Sequence, residues 1–470
     1  MKKILILLAI IIPLISSAQS PTMWNNFGWD TTYVSGDEDQ YLNIQIGDWI
    51  WQIGRPFYDP AYFSATWYLS PTGSDSDPGT YEEPFKTLDK LWTVIGEGDT
   101  AYLRGGTYEF NDQQVLTGAD GTSSDTIKVF AYPGETPVLT SSSGYTHPGA
   151  VNSAKPLILM TADYTWWKGI TIADYAQASA QTDGYNGMYV RSGSDHNVFE
   201  QLIVRNCGSG FYIKGNSDQN LVLNCDFYSN KDPYSGTPYS NADGLAIAGN
   251  TDVSDTNRVQ GCRFWWNSDD GIDLFNNDGF VYVDSCWSWH NGYVTPTWAA
   301  GADGNGFKLG DQAAGSSTDT SRYLTNCISF NNKQSGYAEN DMDERTVIYN
   351  SVSYRDGVIH GTFGSGFEFT GIIANVIKNC VEYEGRVGVD INTTTYVEYN
   401  DWDIVLTIDD DDFVSLDTLL LDNARLSGGW LPNINFMFPA SGSDLIDAGL
   451  DVGLPFIGGD PDVGVWESDY

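Results

Sequence analysis

Residues 261–267 read GCRFWWN, and the same frame returns as NCDFYSN at 224–230, SCWSWHN at 285–291, NCISFNN at 326–332 and NSVSYRD at 350–356. The second position is Cys225, Cys262, Cys286 or Cys327, with Ser351 in the last copy, and five residues later stands Asn230, Asn267, Asn291, Asn332 or Asp356. A second frame follows each copy at a variable distance: DGLAI (243–247), DGIDL (270–274), NGFKL (305–309), SGYAE (335–339) and SGFEF (365–369). CGSGFYI (207–213) and VGVDI (387–391) are degenerate copies at the two ends. Unequal repeats made of two short strands and an Asn-bearing turn predict an all-β solenoid, the parallel β-helix. One coil cannot bury its apolar side alone, but stacked coils share a continuous core. Strand alternation points Leu245, Ile247, Ile272, Leu274, Phe307 and Leu309 inward. The Asn column reads as a turn ladder, because Asn tolerates left-handed backbone and its amide can bond to the next coil. The Cys column, with Cys207 and Cys380, reads as stacked buried thiols rather than disulfides.

Outward from the repeats, residues 83–95 carry Phe85, Leu88, Leu91, Trp92 and Ile95 at helical spacing, which predicts a helix capping the first coil. The chain opens with MKKILILLAIIIPLISSAQS, the layout of a secretory leader with expected cleavage after Ala18, so export or a periplasmic location of a bacterial protein is expected. Its apolar run falls short of the ~20 residues that span a bilayer. Residues 19–65 form an extension rich in Trp and Tyr, with room for an extra strand layer, and 66–470 form the solenoid with its caps. The run of aspartates at 409–412 reads as a solvated turn. The 470 residues include 62 acidic against 23 basic ones, a net charge of −39. That field repels nucleic acid and anionic membranes, so neither is an expected partner. A monomer is the default expectation.

The stretch WWNSDDGIDLF, 265–275, sets three aspartates within five residues. Positions equivalent in successive coils lie roughly 4.8 Å apart. The residue before the frame glycine is Asp243, then Asp270, then Asn305; two after it come Ala246, Asp273 and Lys308. Asp243, Asp269, Asp270 and Asp273 therefore converge on one outer face with Lys308 one coil beyond Asp273. Carboxylates so close cannot all stay ionised without a counter-charge. Calcium fits as a hard cation that takes several oxygens in loose geometry, while four scattered histidines disfavour zinc. Such an ion could serve only to staple coils, and Lys308 could be a surface lysine paired with Asp273. Taken together, a lysine repelled by a nearby cation has its pKa lowered and can act as a base. A base beside calcium suits β-elimination from a uronic acid polymer, where neutralising the carboxylate stabilises the charge that develops after removal of the C5 proton.

At these residues the sequence resembles the pectate lyases of polysaccharide lyase family 9. The matching pieces are NADGL (241–245), SDDGIDLF (268–275), HNGY (290–293) and GNGFKLG (304–310), with weaker likeness at SPTGSDSDPGT and at DLIDAGLDVGLPF near the ends. The resemblance implies a right-handed parallel β-helix acting on an acidic, polygalacturonate-like polysaccharide. It implies calcium held by Asp243, Asp269, Asp270 and Asp273, and Lys308 as Brønsted base. SGYAEND only loosely follows the family's pattern. Lys333, Arg322 and Arg345 are candidates for holding further uronate carboxylates, and Trp287, Trp289 and Trp298 for stacking on sugar rings, although Trp287 and Trp289 also fit coil packing. Two other readings share the fold. One is a β-helix glycoside hydrolase using paired carboxylates, for which the nearest histidine motif is the HG at His360. The other is a non-catalytic, calcium-stabilised glycan-binding module.

Overall fold

The structure, a computed structural model, describes residues 65–469 apart from 148–153, 179–183, 251–255, 295–297, 311–319, 341, 343 and 360–363, with the backbone of 41–46 and 49–54. Residues 1–18, where a leader is expected, most of the extension and His360 lie outside the described residues. Three parallel sheets form the faces of a prism. The first, of 12 strands, runs from Trp67–Leu69 to Tyr396–Glu398; the second and third, of 10 strands each, run from Gly106–Asp112 to Val381–Tyr383 and from Gln114–Leu116 to Val389–Ile391. Each coil gives one strand to each sheet, as Thr256–Gln260, Arg263–Trp265 and Ile272–Asp273 do. The expected inward residues, Leu245, Ile247, Ile272, Leu274, Phe307 and Leu309, are all buried in one core. In the extension, Tyr41–Ile46 pairs antiparallel with Trp49–Gly54.

The turn ladder is continuous. Asn230 Nδ2 donates to Asn267 Oδ1 at 2.9 Å, and Asn267, Asn291 and Asn332 each donate on to the next rung at 3.0 Å, ending on Asp356 Oδ1. The left-handed conformation expected of these asparagines belongs instead to the residue before each: Ser229, Trp266, His290, Asn331 and Arg355 have φ near +50 to +57°. The sharp bend thus falls one residue early, which frees the ladder amides to point along the solenoid axis. All six cysteines are free and buried, as expected. Their thiols take local partners, Cys262 Sγ for example donating to the Gln260 carbonyl.

Asp356 is the one ionisable rung. Burial pushes its carboxyl up to about 7 against the hydrogen bonds from Ser353 and Asn332 that favour the charged form. A carboxyl raised on folding contributes stability that is fully present at pH below its unfolded value of about 4 and is lost as pH rises through 7. In the two preceding coils Asn291 and Asn332 donate to Ser288 and Ser329, and Asp356→Asn would repeat that pair with Ser353. The substitution is expected to raise the unfolding temperature at pH 8, by at most about 4 kcal/mol in free energy, and to have little effect at pH 4.5. Thermal unfolding at the two pH values checks this.

The capping helix is shorter than the periodicity suggests, Leu88–Trp92 with Thr87 as N-cap. Phe85 bridges Leu69 as an extended residue, and Asp75 Oδ1 accepts the Lys86 and Thr87 amides at 2.9 Å, which holds the approach out of helical geometry. Its apolar residues still face the core, with Trp92 stacked on Trp167. At the other end, residues 404–466 lie across the outer face of the second sheet, covering Trp287, Trp289, Phe330 and Tyr354 with Phe413, Leu421, Phe436 and Trp466. Asp226 fastens this wrap, accepting from both Arg263 and Arg425 at 2.7–3.1 Å. Asp409–Asp412 form a capped 3-10 turn, as its composition suggests.

Candidate active site

The third sheet carries the site. Ala246 pairs in register with Asp273, and Asp273 with Lys308. The glycine before each pair permits this close stacking: a Cβ on Gly271 would lie 2.1 Å from Ser288 Oγ and 2.6 Å from the Gly306 carbonyl. Asp243, Asp270 and Asn305 stack directly, since the Asp270 amide donates to Asp243 Oδ1 at 3.2 Å and the Asn305 amide to Asp270 Oδ1 at 2.6 Å.

Asp243, Asp269 and Asp270 each offer a carboxylate oxygen within 4.8 Å of the others. All three are buried, Asp270 completely. Asp269 Oδ1 accepts the Asp303 amide at 3.1 Å, and the Tyr212 hydroxyl shares its one proton between the Asn241 carbonyl at 2.8 Å and Asp243 Oδ2 at 3.1 Å. Asp273 stands beside this triad. Its Oδ1 accepts the Phe275 amide and its Oδ2 lies 3.5 Å from Lys308 Nζ. Lys308 Nζ is also 3.2 Å from Asp270 Oδ2, yet that oxygen is buried with no hydrogen bond of acceptable angle. It is an ion-pair neighbour and not a properly directed donor–acceptor pair.

Burial pushes the Asp243 and Asp269 carboxyls well up, and the neighbouring carboxylates push them further. Burial likewise raises Asp273 to about 6, against the attraction of Lys308. For Lys308, burial lowers the ammonium, but Asp270, Asp273, Asp243 and Asp269 together outweigh it and raise the group above its ordinary value. The lowered value expected from the sequence is therefore not produced by the protein's own groups. It needs a cation to offset the carboxylates.

Residues 67–379 match the family described as Pel9A-like, right handed beta helix region. The chain belongs to that family, polysaccharide lyase family 9. Among its relatives, Pectate lyase L of Dickeya chrysanthemi is 30% identical over 422 residues, covering 85% of this chain and 90% of that protein. Pectate lyase PEL9 of Emericella nidulans is 28% identical over 431 residues, 85% of this chain and 98% of that protein. The crystal structure of pectate lyase Pel9A superposes with a TM-score of 0.70 at 27% identity, over 87% of this chain and 98% of that one. A rhamnogalacturonan lyase superposes equally well at 24% identity, a likeness of fold. The chain is thus a polysaccharide lyase built on a right-handed parallel β-helix.

The secondary candidates fare differently. Arg322 is fully buried in register with the core residue Val281, and its guanidinium donates to the Leu309 and Gly279 carbonyls at 2.7 Å; it cannot hold a uronate. Trp287 and Trp289 lie under the C-terminal wrap and do not meet sugar. Arg345 donates to the Ala374 carbonyl. Lys333 donates to the Ala302 and Asp303 carbonyls, which fixes the loop carrying Asp303 beside Asp269. Trp298 packs half-buried against Trp266, His290 and Tyr293. Sequence reasoning missed Tyr212. Its signal was available, because Tyr212 occupies the column of Ala246, Asp273 and Lys308.

Proposed function

We propose that this lyase is an exported, calcium-dependent, pectate-type enzyme that cleaves a uronic acid polymer by β-elimination with Lys308 as the base. The observation that carries the reading is the direct register of Asp273 with Lys308 beside three converging buried carboxylates. Leader-like residues 1–20 support export, and the pectate lyases among the relatives support an acidic polysaccharide substrate.

The residues present fit a hard cation. Asp243, Asp269 and Asp270 supply only oxygen donors, and Asp270 Oδ2 is a buried oxygen that no directed hydrogen bond satisfies, with Asp273 adjacent to complete the set. Calcium bound there would neutralise the substrate carboxylate and lower the cost of negative charge developing next to it. Tyr212 and the Asp303 and Asn305 amides orient the ligand carboxylates by their hydrogen bonds. Lys308 Nζ takes the proton from C5 of the bound uronate. The electron pair of that C–H bond becomes the C4=C5 double bond, and the C4–O4 bond breaks to release the leaving chain, whose oxygen takes a proton from solvent. The stem of Lys308 is buried beside the Phe275 ring, with Nζ 5.7 Å from its centroid, which limits the amine to a narrow arc.

Product analysis on a panel of acidic polysaccharides tests the reading. Oligomers lighter by one water than the hydrolysis products, formed from polygalacturonate, are expected. Saturated products alone, with no unsaturated partner fragment, would refute elimination.

A further inference from the structure

We infer that Lys214, with Arg191 one coil nearer the capping helix, holds the carboxylate of the uronate residue next to the one that is cleaved. The inference rests on the lyase reading of the Asp243–Lys308 site and names a specificity determinant for it.

In the strand Ser209–Lys214, Phe211 and Ile213 are buried in the core, so Tyr212 and Lys214 face outward on the same side as Asp273 and Lys308. The Tyr212 hydroxyl reaches Asp243, and Lys214 Nζ lies 4.9 Å from the centre of the same ring. The tyrosine thus spaces the ammonium one ring away from the acid cluster. Arg191 pairs in direct register with Lys214 and extends over Tyr189 in the same manner, its centre 5.8 Å from that ring.

Charge pairing separates these two cations from the others already considered for the site. Lys308 is paired with Asp270 and Asp273, Lys333 is spent on backbone carbonyls, and Arg322 is buried on carbonyls. Among the described residues Lys214 has no carboxylate within ion-pair distance, and Arg191 bonds only the Ser192 hydroxyl, at 2.9 Å. In a chain with 62 acidic and 23 basic residues, two adjacent outward cations with no carboxylate at ion-pair distance among the described residues, Asp273 and Asp243 acting on Lys214 only from further off, form a site complementary to an external anion. In the coil between Lys214 and the Asp273 row, Ala246 and Ala248 stand in register with Tyr212 and Lys214, and Asp243 precedes them. Both alanines are buried beneath the neighbouring side chains, so Tyr212, reaching Asp243 across this coil, is what separates the ammonium from the acid cluster. A uronate chain laid along this outer face would direct one carboxylate at Lys214 while its neighbour meets Lys308. A charge-assisted contact of this kind binds the ground state and the transition state alike, so it acts on KM.

Lys214→Met keeps the stem packed over Tyr212 and removes the charge. Steady-state kinetics on polygalacturonate with calcium are expected to show KM raised about tenfold with kcat within about twofold of wild type, and Lys214→Arg is expected to restore most of the loss. Calorimetric binding of trigalacturonate and of its methyl ester to the Lys308→Ala protein, with and without Lys214→Met, supplies an arm that needs no turnover. Weakened binding of the acid with unchanged binding of the ester is expected. An unaltered KM, or equal losses for acid and ester, would overturn the assignment. Lack of unsaturated product from the wild-type protein would instead count against the lyase reading itself, since the binding arm stands apart from it.

Discussion

Lys308→Ala is expected to lower kcat by about 10³-fold, within the range that positioned general bases supply, and to tighten calcium binding at the same time. The two effects have opposite signs for one physical reason. Lys308 Nζ lies 3.2 Å from Asp270 Oδ2 and 3.5 Å from Asp273 Oδ2, so in the protein alone it neutralises part of the cluster that a cation would occupy. Removing it deletes a positive charge that competes with the ion, while the carboxylates stay. Without calcium the variant should be less stable than wild type, because buried carboxylates lose their counter-charge; with calcium that deficit should shrink. Lys308→Arg separates charge from basicity. A guanidinium keeps the positive charge but does not give up its proton near neutral pH, so this variant should also be inactive. Calorimetry of calcium binding beside kinetics checks both signs, and weaker calcium binding by Lys308→Ala would contradict the arrangement.

Asp270→Asn is expected to weaken calcium binding by about 100-fold or more and to reduce activity in proportion at limiting calcium. Asp270 is the central member of the stack. Its Oδ1 accepts from both the Asn305 amide and the Asn305 side chain, at 2.6 and 3.0 Å, and its Oδ2 faces Lys308. Asparagine can keep the first set of contacts, which preserves the fold. Its amide nitrogen would then face the cation and Lys308, replacing an attractive oxygen with a donor. Asp273→Asn should weaken calcium binding less, because Asp273 stands outside the converging triad and its Oδ1 already accepts the Phe275 amide. Equal effects of the two substitutions would mean that the triad is not the centre of the site.

The repeat frames made the site legible because register in a β-helix is a matter of counting. With GCRFWWN and DGIDL in register with their copies, the stacking of Asp243 on Asp270 and of Asp273 on Lys308 follows from strand spacing. The buried thiols and the asparagine ladder were legible for the same reason. Features set by tertiary neighbours were not. Arg322 looked like a surface cation, but its partners are carbonyls at 279 and 309 that no local pattern links to it. The tryptophans at 287 and 289 alternate as any strand pair would, and only the return of residues 404–466 decides what covers them. The apolar spacing overextends the helix because it runs through Phe85, where pairing with Leu69 wins over helical periodicity. Lys308's charge balance depends on the sum of four carboxylates and a cation, a quantity that spacing cannot supply.

Ultraviolet absorbance of a reaction mixture of purified protein, polygalacturonate and calcium offers the most direct test. Absorbance from unsaturated uronate should rise when calcium is added, stop rising when a chelator is added, and stay flat with Lys308→Ala. New reducing ends without that absorbance, or an undiminished rise from Lys308→Ala, would contradict elimination by this base.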